Sequence, residues 1–281
     1  MIGQADKQHF EDQGYLLVPA LVPEHLCAAV RETICAHLDF QEHDPATWPK
    51  LPGHGVINLF HAQSLWDVRQ HPAVHEAFAA LHGTRELWVG TDRVSFKTRD
   101  GNRREPGPAE PIHWDGHPGR LPGRSLQGLL YLTDTAEDQG AFCCVPAIYR
   151  EIDAFLTEHP DAAERRRPDW TGMDLHTVGG PAGSMVIWDR RLPHSSTFNL
   201  THRPRWVQYI AMDPVRDEAA RRARVAEFQE KMPPPWAMRQ IVPGQQIPEP
   251  GPLPDLSGLG RALVGLDDWQ PLPEGRTERP G

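Results

Sequence analysis

Short apolar segments separated by turn-forming residues constrain the fold of this chain more than any other sequence feature. Between residues 86 and 212 about eight such segments occur, and Gly, Pro, Asp and Asn rather than helical stretches separate them. This arrangement favours antiparallel strands in a sandwich or barrel over parallel βαβ units. The predicted strands span 86–89, 93–98, 112–115, 125–133, 141–145, 174–178, 184–189 and 205–212.

Helical patterns flank this strand-rich region. They occupy segments 6–13, 26–38, 72–81 and 216–231, and a proline-rich stretch follows the last one. We therefore predict a mainly β fold with flanking α-helices, whose core is a double-stranded β-helix of the jelly-roll, cupin-like type. The single predicted domain, 1–281, consists of a helical layer (1–85), the jelly-roll core (86–213) and a C-terminal helix with a proline-rich wrap (214–281).

Charge and composition exclude several partner classes. The net charge of -9, from 38 acidic and 29 basic residues, argues against nucleic acid or an anionic membrane as the main partner. No apolar run is long enough to span a bilayer, and the N-terminal segment lacks a signal-peptide pattern. The four cysteines have no CxxC spacing and are expected to be reduced. These features predict a cytoplasmic protein; they do not indicate the oligomeric state.

One of the His-x-acid pairs in the sequence has the spacing of a metal site. Residues two apart on a helix diverge by about 200°, which argues against the pairs in segments 9–11 and 37–39, and the pair in 159–161 is expected in a charged surface turn. His113 and Asp115 fall in a predicted strand, where residues two apart share one face. An imidazole and a carboxylate side by side would form two thirds of a 2-His-1-carboxylate triad.

Two residues near the C-terminal end of the strand-rich region could complete such a site. His194 follows the apolar segment 185–189 and is the candidate third ligand. Arg205 opens the last predicted strand, and a buried guanidinium requires an anion such as a carboxylate, which it binds through two hydrogen bonds. Taken singly, a core histidine and a surface ion pair are the simpler interpretations of these two residues.

Considered together, these motifs resemble a known family. The run His194-Ser-Ser-Thr-Phe-Asn-Leu-Thr-His-Arg-Pro-Arg205 is similar to the distal signature of the phytanoyl-CoA dioxygenase family of iron(II)/2-oxoglutarate oxygenases. Segment 10–19 resembles the family's helix–strand entry, and segment 138–146 resembles its Asn-Gly…Val-Pro turn. The usual Gly-Ser-His after that turn is replaced by Ala-Ile-Tyr at 147–149. The resemblance runs in order from Phe10 to Met212.

The resemblance implies an activity and a set of cofactors. It implies that oxygen and 2-oxoglutarate are converted to succinate and CO2 while a small-molecule metabolite is hydroxylated. The implied iron(II) ligands are His113, Asp115 and His194. Arg205 and Ser196 would bind the distal carboxylate of 2-oxoglutarate, and Lys97 would lie near this cosubstrate. Because Asp115 is retained, halogenation is disfavoured, whereas desaturation, epoxidation and cyclisation remain open.

Further residues are candidates for the pocket wall. Gln127 and Tyr131 share one face of a long predicted strand; Gln127 could donate a hydrogen bond to the cosubstrate, and Tyr131 could contact the substrate. Arg93 is another candidate substrate-binding residue, and Arg203 is the alternative to Arg205 if the strand register slips by two. The basic loop 99–104 is expected either to cover the site or to be a solvated surface loop.

Two other functions are compatible with the same residues. A His-His-Asp site also suits zinc, which predicts a zinc-dependent hydrolase or lyase on a cupin-like barrel. A non-catalytic jelly-roll binding module is the third possibility. The zinc hypothesis gives no role to Arg205 and Ser196, which separates it from the oxygenase hypothesis.

Overall fold

The computed structural model describes residues 2–121, 123–239, 245 and 251–269. Its strands are β1 (Tyr15–Val18), β2 (Val56–Ile57), β3 (Leu87–Val89), β4 (Val94–Lys97), β5 (Leu126–Tyr131), β6 (Phe142–Cys144), β7 (His176–Val178), β8 (Met185–Asp189), β9 (His194–Ser196) and β10 (Arg205–Pro214). Its α-helices are α1 (Gln4–Gln13), α2 (Glu24–Leu38), α3 (Gln63–Arg69), α4 (Pro72–His82), α5 (Pro146–Arg150), α6 (Ile152–Glu158), α7 (Pro160–Arg165), α8 (Glu218–Gln229), α9 (Pro235–Met238) and α10 (Gly258–Val264).

The strands form two antiparallel sheets. The larger sheet has the order β1-β8-β5-β10-β4-β2, with β3 also paired to β10, and the smaller has the order β7-β6-β9. In the larger sheet Arg205 pairs with Lys97, and Ala211 pairs with Gln127. The prediction of a mainly antiparallel β fold with flanking helices is therefore confirmed.

The strands β5 and β10 send alternate side chains to two different environments. Leu130, Ile210 and Met212 belong to the main hydrophobic core, which also contains residues of the flanking helices such as Ile34 and Phe78. Side chains on the opposite face of these strands, such as Leu129 and Val207, belong to a smaller cluster that includes Phe142 of the second sheet. One face of the large sheet thus packs under helices, and the other faces the small sheet.

Most predicted elements are present, and the exceptions have local causes. Segment 112–115 is not a continuous strand. His113 forms an isolated bridge with His194, and the chain bends at Asp115 and Gly116. The strands β2 and β9 were not predicted, because β2 spans two residues and β9 consists of His-Ser-Ser, without an apolar pattern. The helices α3, α5, α6, α7, α9 and α10 were also not predicted.

The structure bears on two further expectations, that the cysteines are reduced and that no segment spans a membrane. All four cysteines are free, and Cys143 and Cys144 on β6 belong to different hydrophobic clusters, as expected for neighbours on a strand. Within the described residues, no helix combines the length and the apolarity needed to cross a bilayer. The cytoplasmic location and the single-domain organisation stay predictions.

Part of the predicted proline-rich wrap, residues 240–244, 246–250 and 270–281, lies outside the described residues. In the part that is described, Leu263 of α10 is fully buried, and Trp269 packs against the main core. This end of the chain is therefore held against the rest of the fold.

Candidate metal and cosubstrate site

Three side chains that are distant in sequence converge in the structure. The potential ligand atoms of His113, Asp115 and His194 all lie within 4.8 Å of one another. The Nε2 atom of each histidine is 3.6 Å from an oxygen of Asp115. The backbones of the two histidines are joined by reciprocal hydrogen bonds of 3.1 and 3.0 Å, so the bridge to β9 fixes their separation.

The orientation of both imidazoles is set by their second nitrogen. The Nδ1 atom of His113 lies 2.9 Å from the carbonyl oxygen of Pro111, and the Nδ1 atom of His194 lies 3.0 Å from that of Leu192. Because a carbonyl only accepts hydrogen bonds, Nδ1 carries the proton in each ring, and a neutral imidazole then has its lone pair on Nε2. Hydrogen bonds of this kind commonly orient metal-binding histidines.

Asp115 is held as a carboxylate by its neighbours. Gln127 donates a hydrogen bond of 2.7 Å from Nε2 to Oδ2 of Asp115, and Arg166 holds the Asp115 carbonyl at 2.9 Å. Burial opposes ionisation, but His113 and His194 outweigh it when their Nε2 atoms also carry a proton: their hydrogen bonds and charge then keep the pKa of Asp115 well below its usual range. A metal ion that displaces these protons makes both Nε2 lone pairs available. An ionised carboxylate beside two Nε2 lone pairs is a donor set suited to a divalent transition metal.

The three side chains line a cavity of about 540 Å³, which also contains Gln127, Ser196 and Arg205. This volume lies within the range of small-molecule sites. The cavity follows the inner face of β10, from Arg205 past Tyr209 to Asp213. These end residues are eight positions apart, so the cavity extends over about 26 Å of the strand.

Arg205 places a buried guanidinium at one end of this cavity. The residue is 1% exposed, and it donates hydrogen bonds to the carbonyl oxygens of Gly140 and His54 and to the hydroxyl of Ser95. Its Nε has no hydrogen-bond partner, and none of its partners in the described part of the chain is a carboxylate. Arg205 is therefore a buried cation that can accept an anionic ligand.

Ser196 is paired with a residue that the sequence did not single out. Its hydroxyl lies 2.7 Å from Nδ1 of His54, which also lines the cavity. Burial, together with the charges of Arg205 and Lys97, lowers the pKa of His54 well below its usual range, so this imidazole is neutral. Ser196 and His54 thus add two neutral hydrogen-bonding groups beside the cation.

The sequence signal for His54 is the glycine on either side of it. Gly53 and Gly55 both have positive φ, and a Cβ at Gly55 would lie 2.1 Å from the carbonyl oxygen of Phe96. Only glycine allows the backbone to approach β4 this closely. This approach brings the carbonyl oxygen of His54 within reach of Ser95 and Arg205.

Lys97 and Tyr131, two predicted site residues, do not line this cavity. The Lys97 ammonium forms an ion pair with Asp100 at 3.1 Å, and it lies beside Arg205, its partner in the β4–β10 ladder. The Tyr131 hydroxyl donates to the carbonyl of Val178 and accepts from the backbone N–H of Phe142. Both polar groups therefore have partners within the protein, and the roles of Lys97 near the cosubstrate and of Tyr131 at the substrate stay predictions.

Arg203 and the basic loop 99–104 also lie away from the cavity. Arg203 precedes β10 and is exposed, so Arg205 is the arginine that reaches the site. The loop is attached to the segment after β9 through hydrogen bonds between Asp100 and Asn199. Its basic side chains do not cover the cavity, which favours the solvated-loop interpretation.

Arg93 lies in the cavity wall with two residues that were not predicted. Its Nε is 3.6 Å from Oδ1 of Asp92, and its guanidinium stacks 4.9 Å from the ring centroid of Trp236 on α9. We call residues 90–93 together with Trp236 the Asp92 wall. Asp92 and Trp236 carry no motif in the sequence, because they lie in a loop and in a short helix far apart in the chain.

Comparison with known sequences agrees with this geometry. The sequence profile of the phytanoyl-CoA dioxygenase (PhyH) family matches residues 10–207. The chain belongs to this family, and the resemblance inferred from its motifs is confirmed. The enzyme class predicted from the sequence, an oxygenase that uses iron and 2-oxoglutarate, is confirmed at the level of the family.

Individual relatives are distant. A protein of Dictyostelium discoideum whose name assigns it to the same family is 23% identical over 265 residues, covering 74% of each chain. Ava biosynthesis cluster protein O of Aspergillus versicolor is 27% identical over 211 residues, covering 64% of this chain and 66% of that one. The crystal structure of the epimerase SnoN in complex with Fe3+, alpha ketoglutarate and nogalamycin RO has a TM-score of 0.58 at 17% identity, covering 91% and 95% of the two chains. At this identity the structural match establishes a shared fold.

Proposed function

We propose that this protein is an iron(II)- and 2-oxoglutarate-dependent dioxygenase that hydroxylates a small-molecule metabolite and releases succinate and CO2. The observation that carries the proposal is the presence of the His113–Asp115–His194 cluster and the buried Arg205 in one cavity. A metal triad alone fits many enzymes. A triad that shares its cavity with a buried cation that has no carboxylate partner among the described residues fits a metal-chelating dicarboxylate.

The residues present fit both groups. Two Nε2 lone pairs and one carboxylate form the 2-His-1-carboxylate set that binds iron(II) and leaves open positions for other ligands. Arg205 would bind the distal carboxylate of 2-oxoglutarate. Its Nε, which has no hydrogen-bond partner in the described part of the chain, supports this role. Ser196 would contribute a hydrogen bond to the same carboxylate, oriented by His54.

When bound, iron(II) with 2-oxoglutarate and oxygen supplies the oxidising chemistry of this reaction. The residues of the chain orient these groups and exclude water. Gln127 donates a hydrogen bond to Oδ2 of Asp115 and makes no hydrogen bond to Oδ1. Trp188 and Phe142 pack against His194 with ring centroids 5.0 and 5.8 Å away, which limits access of solvent to that ligand.

The charges of the cavity support a small polar metabolite over an acyl-CoA thioester. Three aspartates and three arginines line it, namely Asp92, Asp115, Asp213, Arg93, Arg190 and Arg205. With Asp115 assigned to the metal and Arg205 to the cosubstrate, the remaining charges cancel. A coenzyme A moiety carries several phosphate charges and would need an excess of cations.

The test is the conversion of 2-oxoglutarate to succinate by the purified protein under air. We expect iron(II)-dependent release of succinate, which zinc does not support and which stops when oxygen is removed. Metal-dependent hydrolysis that proceeds without oxygen would contradict the proposal and support the zinc enzyme. A folded protein that binds neither iron(II) nor 2-oxoglutarate in a calorimetric titration would support the non-catalytic binding module.

A further inference from the structure

We infer that Asp92 is a substrate-binding residue that accepts a hydrogen bond from a hydroxyl group of the substrate, while a ring of the substrate packs on Trp236. This inference rests on the proposed function, because it names the substrate chemistry of the same cavity. It concerns the part of the cavity wall that neither the metal nor the cosubstrate would occupy.

Hydrogen bonds to the backbone of residues 90–93 hold this part of the Asp92 wall in place. The Gly90 N–H donates to the carbonyl of Ala211 at 2.7 Å, and the Tyr209 N–H donates to the carbonyl of Arg93 at 3.0 Å. The carbonyl of Asp92 accepts a hydrogen bond from Arg69, which is fully buried. Because these anchors use the backbone, the Asp92 side chain remains available to the cavity.

One oxygen of Asp92 is engaged and the other is not. Oδ1 accepts a hydrogen bond of 2.7 Å from the backbone N–H of Arg93 and is the oxygen nearest the Arg93 guanidinium. Oδ2 has no hydrogen bond within the described part of the chain. A half-buried carboxylate oxygen facing a cavity is stabilised by a ligand that donates a hydrogen bond to it.

The electrostatics of Asp92 agree with this role. Burial raises the pKa of Asp92 to about 6, and the Asp115 carboxylate contributes in the same direction. Asp92 is therefore ionised at neutral pH but incompletely solvated. A donor group on the substrate would replace the missing solvation.

The neighbours of Asp92 decide which donor fits. The positive charge of Arg93 lies beside the carboxylate, and Arg190 and Asp213 balance each other within the same cavity. No net negative charge is left to attract an ammonium group, which favours a neutral hydroxyl. Trp236 presents a half-buried indole in the same wall, a surface suited to the apolar face of a ring.

The test uses the iron(II)- and 2-oxoglutarate-loaded enzyme and three sets of probes. The first contains hydroxylated ring compounds (cyclic polyols, methyl glycosides and hydroxylated polycyclic aromatics), the second contains the matching amines, and the third contains acyl-CoA thioesters. Binding is measured by calorimetry without oxygen, and turnover is measured as succinate release above the substrate-free rate. We expect binding and stimulated turnover from members of the first set.

The discriminating variant is Asp92→Asn, which keeps an oxygen for the Arg93 N–H and replaces the free oxygen with a donor. We expect the KM of a stimulating hydroxylated compound to rise by roughly tenfold to a hundredfold, with a smaller change in kcat. A deoxy analogue that lacks the bound hydroxyl should bind the wild type as weakly as the parent compound binds Asp92→Asn.

The matched control is Asp134→Asn. Asp134 also accepts a backbone hydrogen bond through Oδ1, at 2.8 Å from the Ala182 nitrogen, but it is exposed and does not line the cavity. An unchanged KM in Asp92→Asn, binding of only the amines or thioesters, or no binding from the hydroxylated set would each overturn the inference. An enzyme that does not turn over 2-oxoglutarate at all would instead refute the proposed function.

Discussion

The two faces of the seven-stranded sheet differ in what they contribute to the molecule. On β10, Arg205 faces the cavity while its neighbour Trp206 packs into the main core. On β5, Gln127 contacts a candidate metal ligand, and Leu130 is buried beneath the helices. Neighbouring residues on one strand therefore serve separate purposes, stability on one face and chemistry on the other.

The cavity face is energetically unfavourable for the folded protein. Among the described residues, buried polar atoms without a protein partner occur there at Arg205 Nε, Gln127 Oε1 and Trp188 Nε1. Each such atom costs about 1–3 kcal/mol of stability unless water or a ligand bonds to it. The opposite face offsets these costs by removing apolar surface from water. Substitutions on the two faces should consequently separate loss of activity from loss of stability.

The largest effect is expected from Asp115→Ala on the cavity face. Removing a metal ligand should lower iron(II) affinity and 2-oxoglutarate turnover by at least about a hundredfold, since even residues that only support ligands contribute up to that much. Iron titration and succinate release measure this effect. Asp161→Ala is the control, because Asp161 belongs to another His-x-acid pair and is exposed; equal losses in both variants would contradict the assignment.

On the opposite face, Trp206→Ala should change stability and leave the chemistry intact. Trp206 is 2% exposed and packs against Phe96 and Phe40 with ring centroids 4.4 and 5.7 Å away. We expect the free energy of unfolding to fall by about 3–5 kcal/mol, measured by denaturant titration. Leu253→Ala, at an exposed position, should be neutral. A loss of kcat per folded molecule in Trp206→Ala would break the separation of the two faces.

Arg205→Met should weaken 2-oxoglutarate binding by about thirtyfold or more, the effect expected when one partner of a buried charge pair is removed. Calorimetry on the iron-loaded protein measures this change. Binding of 2-oxobutyrate, which lacks the distal carboxylate, should change much less. If the exposed Arg203→Met variant loses 2-oxoglutarate affinity instead, Arg203 is the anchor.

The smallest effect concerns pH. The pKa of Asp92 is raised from 3.8 to about 6 in the folded state, so the folded protein holds a proton that the unfolded chain releases between these values. The stabilising contribution of the protonated form is present below pH 3.8 and is lost as the pH rises through about 6. Asp92→Asn cannot ionise. In the metal-free protein it should become more stable than the wild type by about 1–2 kcal/mol at pH 7, after discounting for partial exposure.

Unfolding titrations of both proteins from pH 4 to pH 7 test this sign. If the difference in unfolding free energy between the two proteins stays constant across that range, Asp92 is fully solvated. Ionising Asp92 would then not destabilise the folded protein. If the difference grows with pH, ionisation of the Asp92 carboxyl destabilises the folded protein by the amount measured.

The sequence predicted what depends on strand periodicity and strand spacing. The apolar runs of β5, β8 and β10 marked the large sheet. Two-residue alternation selected His113 and Asp115, although their segment forms only an isolated bridge to His194 and not the predicted strand. Alternation alone did not show which residues of a strand face line the cavity and which are buried between the two sheets. Tyr131 shares a strand face with Gln127, but it lies between the sheets, where Val178 and Phe142 engage its hydroxyl. Lys97 likewise does not line the cavity, because Asp100, three residues later, forms an ion pair with its ammonium.

The residues that the sequence did not reveal lie in connections between strands and helices. His54, Asp92 and Trp236 come from loops and a four-residue helix, whose paths follow from tertiary hydrogen bonds rather than from any local pattern. The glycines around His54 are a local signal of close backbone approach. Asp92 has no equivalent signal, since its position depends on Arg69, which lies on α3.

The Asp92 wall consists of a loop segment and a short helix, and Trp236 lies beyond the segment that matches the family profile. Exchanging these two pieces would leave the ladder hydrogen bonds of β5, β8 and β10 in place. If the Asp92 wall binds the substrate as proposed, grafting the corresponding pieces from a relative would change which molecules bind and leave the candidate metal ligands in place.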